Sequence, residues 1–311
     1  MKNPNPKLLL YIAMADAYGM ATEYIKPWNE EDKRVLEESL LFERYVKNPR
    51  AGSPVASQYT DDTEMSIANC TVLLSKSKSL SRLDFANEYV KEFNFGGRRK
   101  GYSRKFQEIL ESVKTGEELL AVLKPTSEKN GAAMRAVPFG VIKSTNTLLN
   151  TSSLSASVTH DTEIGLFSSR AISLAAHYSF YDSGPLSAIR EYILDNLPKE
   201  DAKFQSVVSH PWDGTPVVGN SMGPVGLTTV AAVLTLVATK SSLMEMLRTA
   251  MVWGGDVDSV ASIAWGIASS RMQDEALPIF FEESLEMYSN VTGSKRLCAI
   301  SKELMQRSET L

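Results

Sequence analysis

The sequence feature that limits the fold most is the helical period of the apolar residues along much of the chain. The i, i+3, i+4, i+7, i+8 pattern of a buried helix face is followed by Val260, Ile263, Ala264, Ile267 and Ala268. Alternating apolar and polar residues, which would indicate strands, are scarce. Further helices are predicted at 6–20, 82–93, 103–113, 131–145, 161–179, 184–195, 241–252, 275–288 and 295–306. The sequence therefore predicts an all-α protein.

One apolar stretch is long enough to be compared with a membrane span. VGLTTVAAVLTLVA, at 225–238, is rich in threonine and shorter than the roughly 20 residues that cross a bilayer, so it predicts a buried helix. Several Pro and Gly residues predict a long loop at 205–224. There is no fixed-period repeat and no linker long enough to force a boundary. We therefore expect a single domain over residues 1–311.

Charge and cysteine content narrow the classes of function. The 33 basic and 37 acidic residues give a formal net charge of −4, which argues against broad binding to nucleic acid or to anionic membranes. The two cysteines, Cys70 and Cys298, have no spacing typical of a zinc site or a disulfide framework. A reduced, cytoplasmic setting is therefore expected.

Two short acidic stretches each precede an apolar helix. TDDTE at 60–64 would be explained on its own by helix capping and by the favourable interaction of acidic residues with a helix N-terminus. WGGDVDS at 253–259 repeats the arrangement, with Asp256 and Asp258 two positions apart. In an extended or turning segment those two side chains can point the same way, and the two glycines allow the unusual dihedral angles of such a turn.

If these two helix starts face each other, four carboxylates share one place: Asp61, Asp62, Asp256 and Asp258. A buried cluster of like charges must bind protons or cations. Carboxylates and hydroxyls without His or Cys are hard oxygen ligands that suit Mg²⁺ or Mn²⁺ better than zinc. Two metal ions are chemically reasonable with that many carboxylates, because bridging oxygens let neighbouring ions share ligands.

At this point the sequence resembles the ADP-ribosylglycohydrolase family, which includes the dinitrogenase-reductase-activating glycohydrolases. YTDDTEM at 59–65 and GGDVDSVASIAWGI at 254–267 are similar to the two metal-binding motifs of that family. ADAYGMATEY at 15–24, NGAAMRAVPFG at 130–140 and SVTHDTEIG at 157–165 resemble three more of its segments, in the same order.

The resemblance implies a compact orthogonal helical bundle with two Mg²⁺ or Mn²⁺ ions, which hydrolyses the bond between ADP-ribose and an acceptor such as arginine or serine. It implies these metal ligands: Thr60, Asp61, Asp62, Asp256, Asp258 and Ser259. Glu23 matches a glutamate that in some members of the family approaches a metal ion and the substrate. We expect the catalytic group that activates the attacking water to be a metal ion or a carboxylate, Glu23 or Asp62. The chain departs from the family at Ala15 and Tyr18, where the family usually has glycine and leucine.

Five residues are candidates for binding the substrate. Asn130 and Gly131 predict a helix start that suits the diphosphate of ADP-ribose, with Ser127 nearby as a donor, although a plain capped helix has the same signature. His160 is a candidate for lining the ribose or adenine pocket, as the Thr-His segment of the family does. Tyr102 could stack on adenine, although most single tyrosines only pack.

Three other interpretations stay open. The chain could be an ADP-ribose-binding or toxin-blocking protein with degenerate catalysis. A phosphohydrolase with a His-Asp pair would need more histidine ligands, and it does not account for the two acidic motifs. Lys7 and the LLLYIAMADA that follows resemble a secretory signal as well as a first helix, but cleavage near Ala15 would remove part of a matched motif.

The expected partners are ADP-ribose and an ADP-ribosylated protein, and neither a membrane nor direct nucleic-acid binding is expected. An ADP-ribosylating toxin or its target is one possible partner, and the acceptor residue stays open. Arginine, serine, O-acetyl-ADP-ribose and a modified nucleotide all remain candidate acceptors.

Overall fold

A computed structural model describes residues 1–75, 79–287, 289, 293–309 and 311. The regular secondary structure of these residues is helical. The α-helices are α1 (Leu8–Gly19), α2 (Glu30–Ser39), α3 (Asp61–Leu73), α4 (Arg82–Phe95), α5 (Arg104–Ser112), α6 (Gly116–Val122), α7 (Gly131–Met134), α8 (Thr145–Ser157), α9 (Glu163–Tyr181), α10 (Ile189–Asn196), α11 (Gln205–Ser209), α12 (Val225–Thr239), α13 (Leu243–Trp253), α14 (Val257–Ala268), α15 (Phe280–Glu283) and α16 (Ser294–Arg307). Four 3₁₀ helices lie at Met20–Thr22, Val137–Val141, Leu186–Ala188 and Lys199–Phe204. The all-α prediction is confirmed, since the described residues contain isolated β-bridges but no strand.

Several of the described helices begin at a polar residue that satisfies free backbone N–H groups. Ser81 and Asp84 form a reciprocal capping box at the start of α4. The hydroxyls of Ser144, Thr162 and Ser242 accept hydrogen bonds from backbone N–H groups in the first turns of α8, α9 and α13. Local sequence therefore sets these boundaries, because such a residue replaces hydrogen bonds that a helix start cannot make internally.

The centre of the bundle is the packing of α1 against α14. Every residue of both helices is buried, so neither has the exposed polar stripe of a surface helix. The helices approach closely at Gly19, where a β-carbon would lie 2.7 Å from the Cα of Asp258. Helix α12 is buried along nearly its whole length and packs against α9 and α14, as the apolar stretch predicted.

Two predicted helices were wrong in extent. The helix predicted at 131–145 ends at Met134 and is followed by a 3₁₀ segment, because Pro138 has no N–H to continue an α-helix. A separate helix, α8, then begins at Thr145. The helix predicted at 275–288 is reduced to α15, which follows Pro278, and residue 288 lies outside the described residues. Helices α2, α6 and α8 were not predicted.

The loop predicted at 205–224 is partly confirmed. Its first five residues form α11, and irregular backbone runs from residue 210 to residue 224. Within the described residues no helix combines the length and the apolar character that crossing a membrane requires. The single domain over 1–311 stays a prediction.

Candidate metal centre

Three chain segments meet where α1 ends and where α3 and α14 begin. The residues after α1 carry Glu23, the first turn of α3 carries Asp61 and Asp62, and the start of α14 carries Asp256 and Asp258. The close approach at Gly19 lets the end of α1 lie directly on the start of α14. The two acidic motifs are therefore brought together in space, as the sequence predicted, with Glu23 beside them.

The turn before α14 is held on both sides by backbone hydrogen bonds. Gly254 and Gly255 adopt φ angles of 76° and 83°, which favour glycine. The N–H of Tyr24 donates to the carbonyl of Gly255 at 2.8 Å. On the other side, the N–H of Val217 donates to the carbonyl of Gly254, and the carbonyl of Val217 accepts from the N–H of Asp256. The loop before α12 thus fixes the backbone that carries Asp256.

The carboxylates of Glu23, Asp256 and Asp258 form a compact group. One oxygen from each lies within 4.8 Å of the other two, close enough for all three to bind one cation. The Oδ1 atom of Asp258 is buried without a hydrogen-bond partner among the described residues. A buried carboxylate oxygen with no donor is unfavourable unless a cation or a proton satisfies it.

Burial and like charge make ionisation of Glu23 and Asp258 unfavourable. Burial and the neighbouring Asp256 raise the pKa of Glu23 to about 8. Burial, Glu23 and Asp256 raise the pKa of Asp258 well above its usual value. Both shifts have the sign expected of a cluster that needs positive charge, since a divalent cation would favour the ionised forms.

Asp16, in the last turn of α1, organises the first turn of α3. Its two carboxylate oxygens accept from the hydroxyl and the N–H of Thr60, at 2.8 and 2.9 Å, and from those of Thr63, at 2.6 and 3.2 Å. Because the Thr60 hydroxyl donates a hydrogen bond to Asp16, the lone pairs of the hydroxyl oxygen remain available to a cation. Burial raises the pKa of Asp16 to about 6. The sequence analysis assigned no role to Asp16.

Asp62 connects α3 with α14. Its Oδ1 accepts from the hydroxyl of Ser262 at 2.9 Å, and its Oδ2 accepts from the hydroxyl of Ser259 at 3.3 Å. Burial and Asp16 raise the pKa of Asp62 well above its usual value. Part of Asp61 reaches solvent, and burial of its carboxylate and the charge of Asp16 raise its pKa to about 7.

Two polar contacts of the site were missed by the sequence analysis. Ser262 could have been found, because it lies four residues after Asp258 and so on the same face of α14. The hydroxyl of Tyr24 donates to Oδ2 of Asp256 at 2.7 Å. The backbone of Tyr24 has a φ angle of 49°, which residues other than glycine rarely adopt. That contact depends on the turn after α1, and no sequence signal predicts it.

The donor set fits divalent cations of the Mg²⁺ or Mn²⁺ type. It consists of carboxylates and hydroxyls from three rigid helix ends, and histidine and cysteine do not contribute to the cluster in the described residues. The structure groups Glu23 with Asp256 and Asp258, whereas Thr60, Asp61, Asp62 and Ser259 stay predicted ligands.

Among the predicted substrate-binding residues, Asn130, Gly131 and His160 lie together. A β-carbon at Gly131 would be 2.7 Å from Cε1 of the His160 ring, so the missing side chain makes room for the ring. The buried Nδ2 of Asn130 and Nε2 of His160 have no hydrogen-bond partner among the described residues. The helix that Asn130 begins, α7, is only four residues long, so a strong helix dipole is not available there.

The other two predicted substrate-binding residues have structural contacts. The Ser127 hydroxyl accepts from the N–H of Lys129 at 3.3 Å, and its carbonyl accepts from Thr162 at the start of α9. Tyr102 is buried, donates its hydroxyl to Glu64 at 2.8 Å, and packs edge-on against Phe93. These are contacts of a packing residue, and stacking of Tyr102 on adenine stays a prediction.

Comparison with known proteins agrees with this geometry. The family model described as ADP-ribosylglycohydrolase matches residues 8–310. ADP-ribosylhydrolase ARH3 of Danio rerio is 26% identical over 275 residues, which cover 74% of each chain. A solved structure titled "ADP-ribosylglycohydrolase-related protein complex" has the same fold, with a TM-score of 0.71, 19% identity and 97% of each chain covered. The chain therefore belongs to the ADP-ribosylglycohydrolase family and is a glycoside-cleaving hydrolase of that family.

Proposed function

We propose that this protein uses two divalent cations, Mg²⁺ or Mn²⁺, to release ADP-ribose from arginine or serine side chains of modified proteins. The observation that carries the proposal is the group of Glu23, Asp256 and Asp258, whose oxygens lie within 4.8 Å of one another at the junction of the two acidic motifs. The orphaned Oδ1 of Asp258 supports it, because that atom is placed to bind a cation.

The cations would be held by these residues: Glu23, Thr60, Asp61, Asp62, Asp256, Asp258 and Ser259. When bound, they supply positive charge that neutralises the carboxylates and orients the hydroxyls of the distal ribose. The hydroxyl of Thr60 would bind a cation through its oxygen, because it donates its hydrogen bond to Asp16. Ser259 and Ser262 hold Asp62 in place from α14.

The protein's carboxylates perform the proton transfer. A water molecule attacks C1 of the distal ribose and gives one proton to a carboxylate, the bond from C1 to the acceptor breaks, and the acceptor takes up that proton from the carboxylate as it leaves. We assign the proton transfer from water to Glu23, because it is partly exposed whereas both oxygens of Asp62 accept from serine hydroxyls. Asp62 remains the second candidate. The remaining carboxylate charge stabilises the oxocarbenium character expected in such a transition state.

The departure from the family sequence at Tyr18 does not disturb this arrangement. Tyr18 is buried in an aromatic cluster against Phe42 and Phe281, and its hydroxyl donates to the carbonyl of Ser39. The larger side chain is therefore accommodated away from the carboxylates. A cytoplasmic setting stays part of the proposal, with Cys70 and Cys298 both unpaired in the structure.

The proposal is tested with a panel of substrates. Arginine-linked and serine-linked ADP-ribosylated proteins, a toxin-modified protein and O-acetyl-ADP-ribose are incubated with Mg²⁺, Mn²⁺ or EDTA, and released ADP-ribose is measured by mass spectrometry. Release from an arginine- or serine-modified protein that requires the cation is the expected result. Release that is undiminished in EDTA would contradict the proposal, and binding of ADP-ribose without any release would favour the degenerate binding protein.

Asp258→Asn tests the residue that carries the argument. We expect release of ADP-ribose to fall by at least about a hundredfold and cation binding to be lost, because a neutral amide cannot replace a charged ligand. The matched control is Asp195→Asn, which makes the same change on the exposed side of α10 and should leave both properties unchanged. Circular dichroism checks that both variants fold.

A further inference from the structure

Arg135 is a buried cation whose donors all reach neutral atoms. Only 1% of the residue is exposed. Its guanidinium donates to the carbonyls of Gly131 and Ser155 and, at 2.8 Å, to the hydroxyl oxygen of Thr159. No carboxylate of the described residues lies within 4.0 Å of it. A buried charge without a counter-charge is unfavourable, so its hydrogen bonds need an explanation.

The hydrogen bond from Arg135 to Thr159 determines in which direction the Thr159 hydroxyl donates its own hydrogen bond. A guanidinium can only donate, so the Thr159 oxygen must accept from Arg135. The same oxygen lies 2.6 Å from Nδ1 of His160. If the Thr159 hydroxyl donates to Nδ1, both atoms are satisfied and the His160 proton is on Nε2. In the other tautomer the Thr159 proton would have no acceptor among the described residues.

His160 packs closely against two glycines. Its ring lies against Gly131, and a β-carbon at Gly165 would be 2.5 Å from its Cβ. Burial and the charges of Arg135 and Lys129 lower the pKa of His160 to about 3, so the ring is neutral at neutral pH. The Nε2 atom is buried without a partner in the described residues.

We infer that Arg135 is a positioning residue that fixes the Nε2–H tautomer of His160 through the Thr159 hydroxyl and so makes His160 a neutral hydrogen-bond donor for an acceptor oxygen of the substrate. ADP-ribose offers such acceptors in its phosphate and hydroxyl oxygens. An unprotonated Nε2 would repel a phosphate oxygen. The assignment of the substrate oxygen rests on the proposed function, whereas the assignment of the tautomer does not.

Nitrogen-15 NMR of histidine-labelled protein measures the tautomer directly, because the chain has only three histidines. His177 is an internal reference, with its Nδ1 2.7 Å from the hydroxyl of Tyr192 and its Nε2 3.2 Å from the carbonyl of Lys143. A carbonyl only accepts, so His177 also carries its proton on Nε2. We expect a pyridine-type Nδ1 and a pyrrole-type Nε2 for both residues. A pyrrole-type Nδ1 at His160 would overturn the inference.

Substitutions at Thr159 test how the tautomer is fixed. Thr159→Val removes the hydroxyl at nearly constant shape, and it should leave His160 as a mixture of tautomers. Thr159→Ser keeps the hydroxyl and should keep the single tautomer. Tyr192→Phe is the matched control, because it removes the equivalent hydroxyl from His177 and should change the spectrum of His177 alone. Unchanged His160 signals in Thr159→Val would refute the role of Thr159.

Arg135→Lys provides a second test should Thr159→Val not fold. A single ammonium group cannot reach the Gly131 carbonyl, the Ser155 carbonyl and the Thr159 hydroxyl together as the guanidinium does. The contact with Thr159 should therefore weaken, and the His160 signals should show both tautomers. A single Nε2–H tautomer in Arg135→Lys would refute the role of Arg135.

The donor role is tested by calorimetric titration with ADP-ribose. Thr159→Val should bind about three- to tenfold more weakly than the wild type, the equivalent of one neutral hydrogen bond, and Thr159→Ser should bind within about twofold. Equal affinity in a Thr159→Val protein with mixed tautomers would overturn the donor role. No ADP-ribose binding by the wild type would refute both the donor role and the proposed function, and the NMR spectra would still decide the tautomer.

Discussion

Replacing Glu23 by glutamine should stabilise the metal-free protein at neutral pH. The folded state raises the pKa of this carboxyl from 4.5 to about 8 through burial and the charge of Asp256. At about pH 7 the folded protein therefore keeps a proton that the unfolded chain has lost, and this difference lowers the free energy of unfolding. Glutamine is neutral in both states, so Glu23→Gln removes the penalty.

The size of the effect follows from the gap between the pH and the unfolded pKa. At about pH 7 that gap is roughly 2.5 units, and each unit corresponds to about 1.4 kcal/mol, which gives about 3 kcal/mol. This is an upper limit, because the neighbouring carboxylates share protons and Glu23 is partly exposed. The penalty is absent below about pH 4.5 and grows as the pH rises towards about 8, so the wild type and the variant should have equal stability at about pH 4.

Bound Mg²⁺ or Mn²⁺ should reverse the order of stability. A cation at about a thousand times its dissociation constant stabilises the folded wild type by about 4.1 kcal/mol, which exceeds the roughly 3 kcal/mol that separates the two metal-free proteins. Glu23→Gln lacks one of the three grouped carboxylates and should gain much less. Thermal unfolding is followed by circular dichroism in EDTA and in excess cation, at about pH 7 and about pH 4. The difference in EDTA should be on the order of 5 °C in favour of the variant.

A second buried glutamate provides a matched control. Burial raises the pKa of Glu64 to about 8 as well, but unlike Glu23 its carboxylate accepts from partners of its own, from Arg99 at 2.7 Å and from the Tyr102 hydroxyl. Glu64→Gln weakens a buried ion pair and should destabilise the protein by roughly 3–5 kcal/mol with or without cation. If Glu23→Gln also destabilised the metal-free protein at neutral pH, the carboxylate cluster would not be under the repulsion inferred from its geometry.

Two further predictions concern residues that contact the proposed ligands. Asp16→Asn should weaken cation binding about 10- to 100-fold, because an amide oxygen is a poorer acceptor for the Thr60 hydroxyl than a carboxylate oxygen. Calorimetric titration measures this, and unchanged affinity would contradict the role given to Asp16. Tyr24→Phe should lower cation affinity about tenfold, because the phenol orients Asp256 for the cation. Thermal stability in EDTA should not fall, because the phenol is needed only when a cation binds. Equal affinity would show that Asp256 is oriented by its backbone alone.

The helical class could be predicted from local patterns, whereas the meeting of the two acidic motifs was predicted from their likeness to the paired motifs of the family. Helical period and capping residues act within a few positions, and like charges that precede two buried helices indicate a common cation. The roles of Asp16 and Tyr24 could not be predicted, because they depend on how α1 lies against α3 and how the turn after α1 meets Asp256. The break at Pro138 was visible in the sequence and was given too little weight.

The position of the carboxylates at rigid helix ends explains how the fold holds like charges together. Carboxylates on flexible loops would separate until their repulsion was small, and the cluster would lose its affinity for cations. Here the close approach of Gly19 to Asp258 and the four hydrogen bonds of Asp16 leave the helix ends little freedom to move apart. The burial of α1 and α14 therefore opposes the repulsion, and in the proposed function this unrelieved repulsion becomes affinity for the cations.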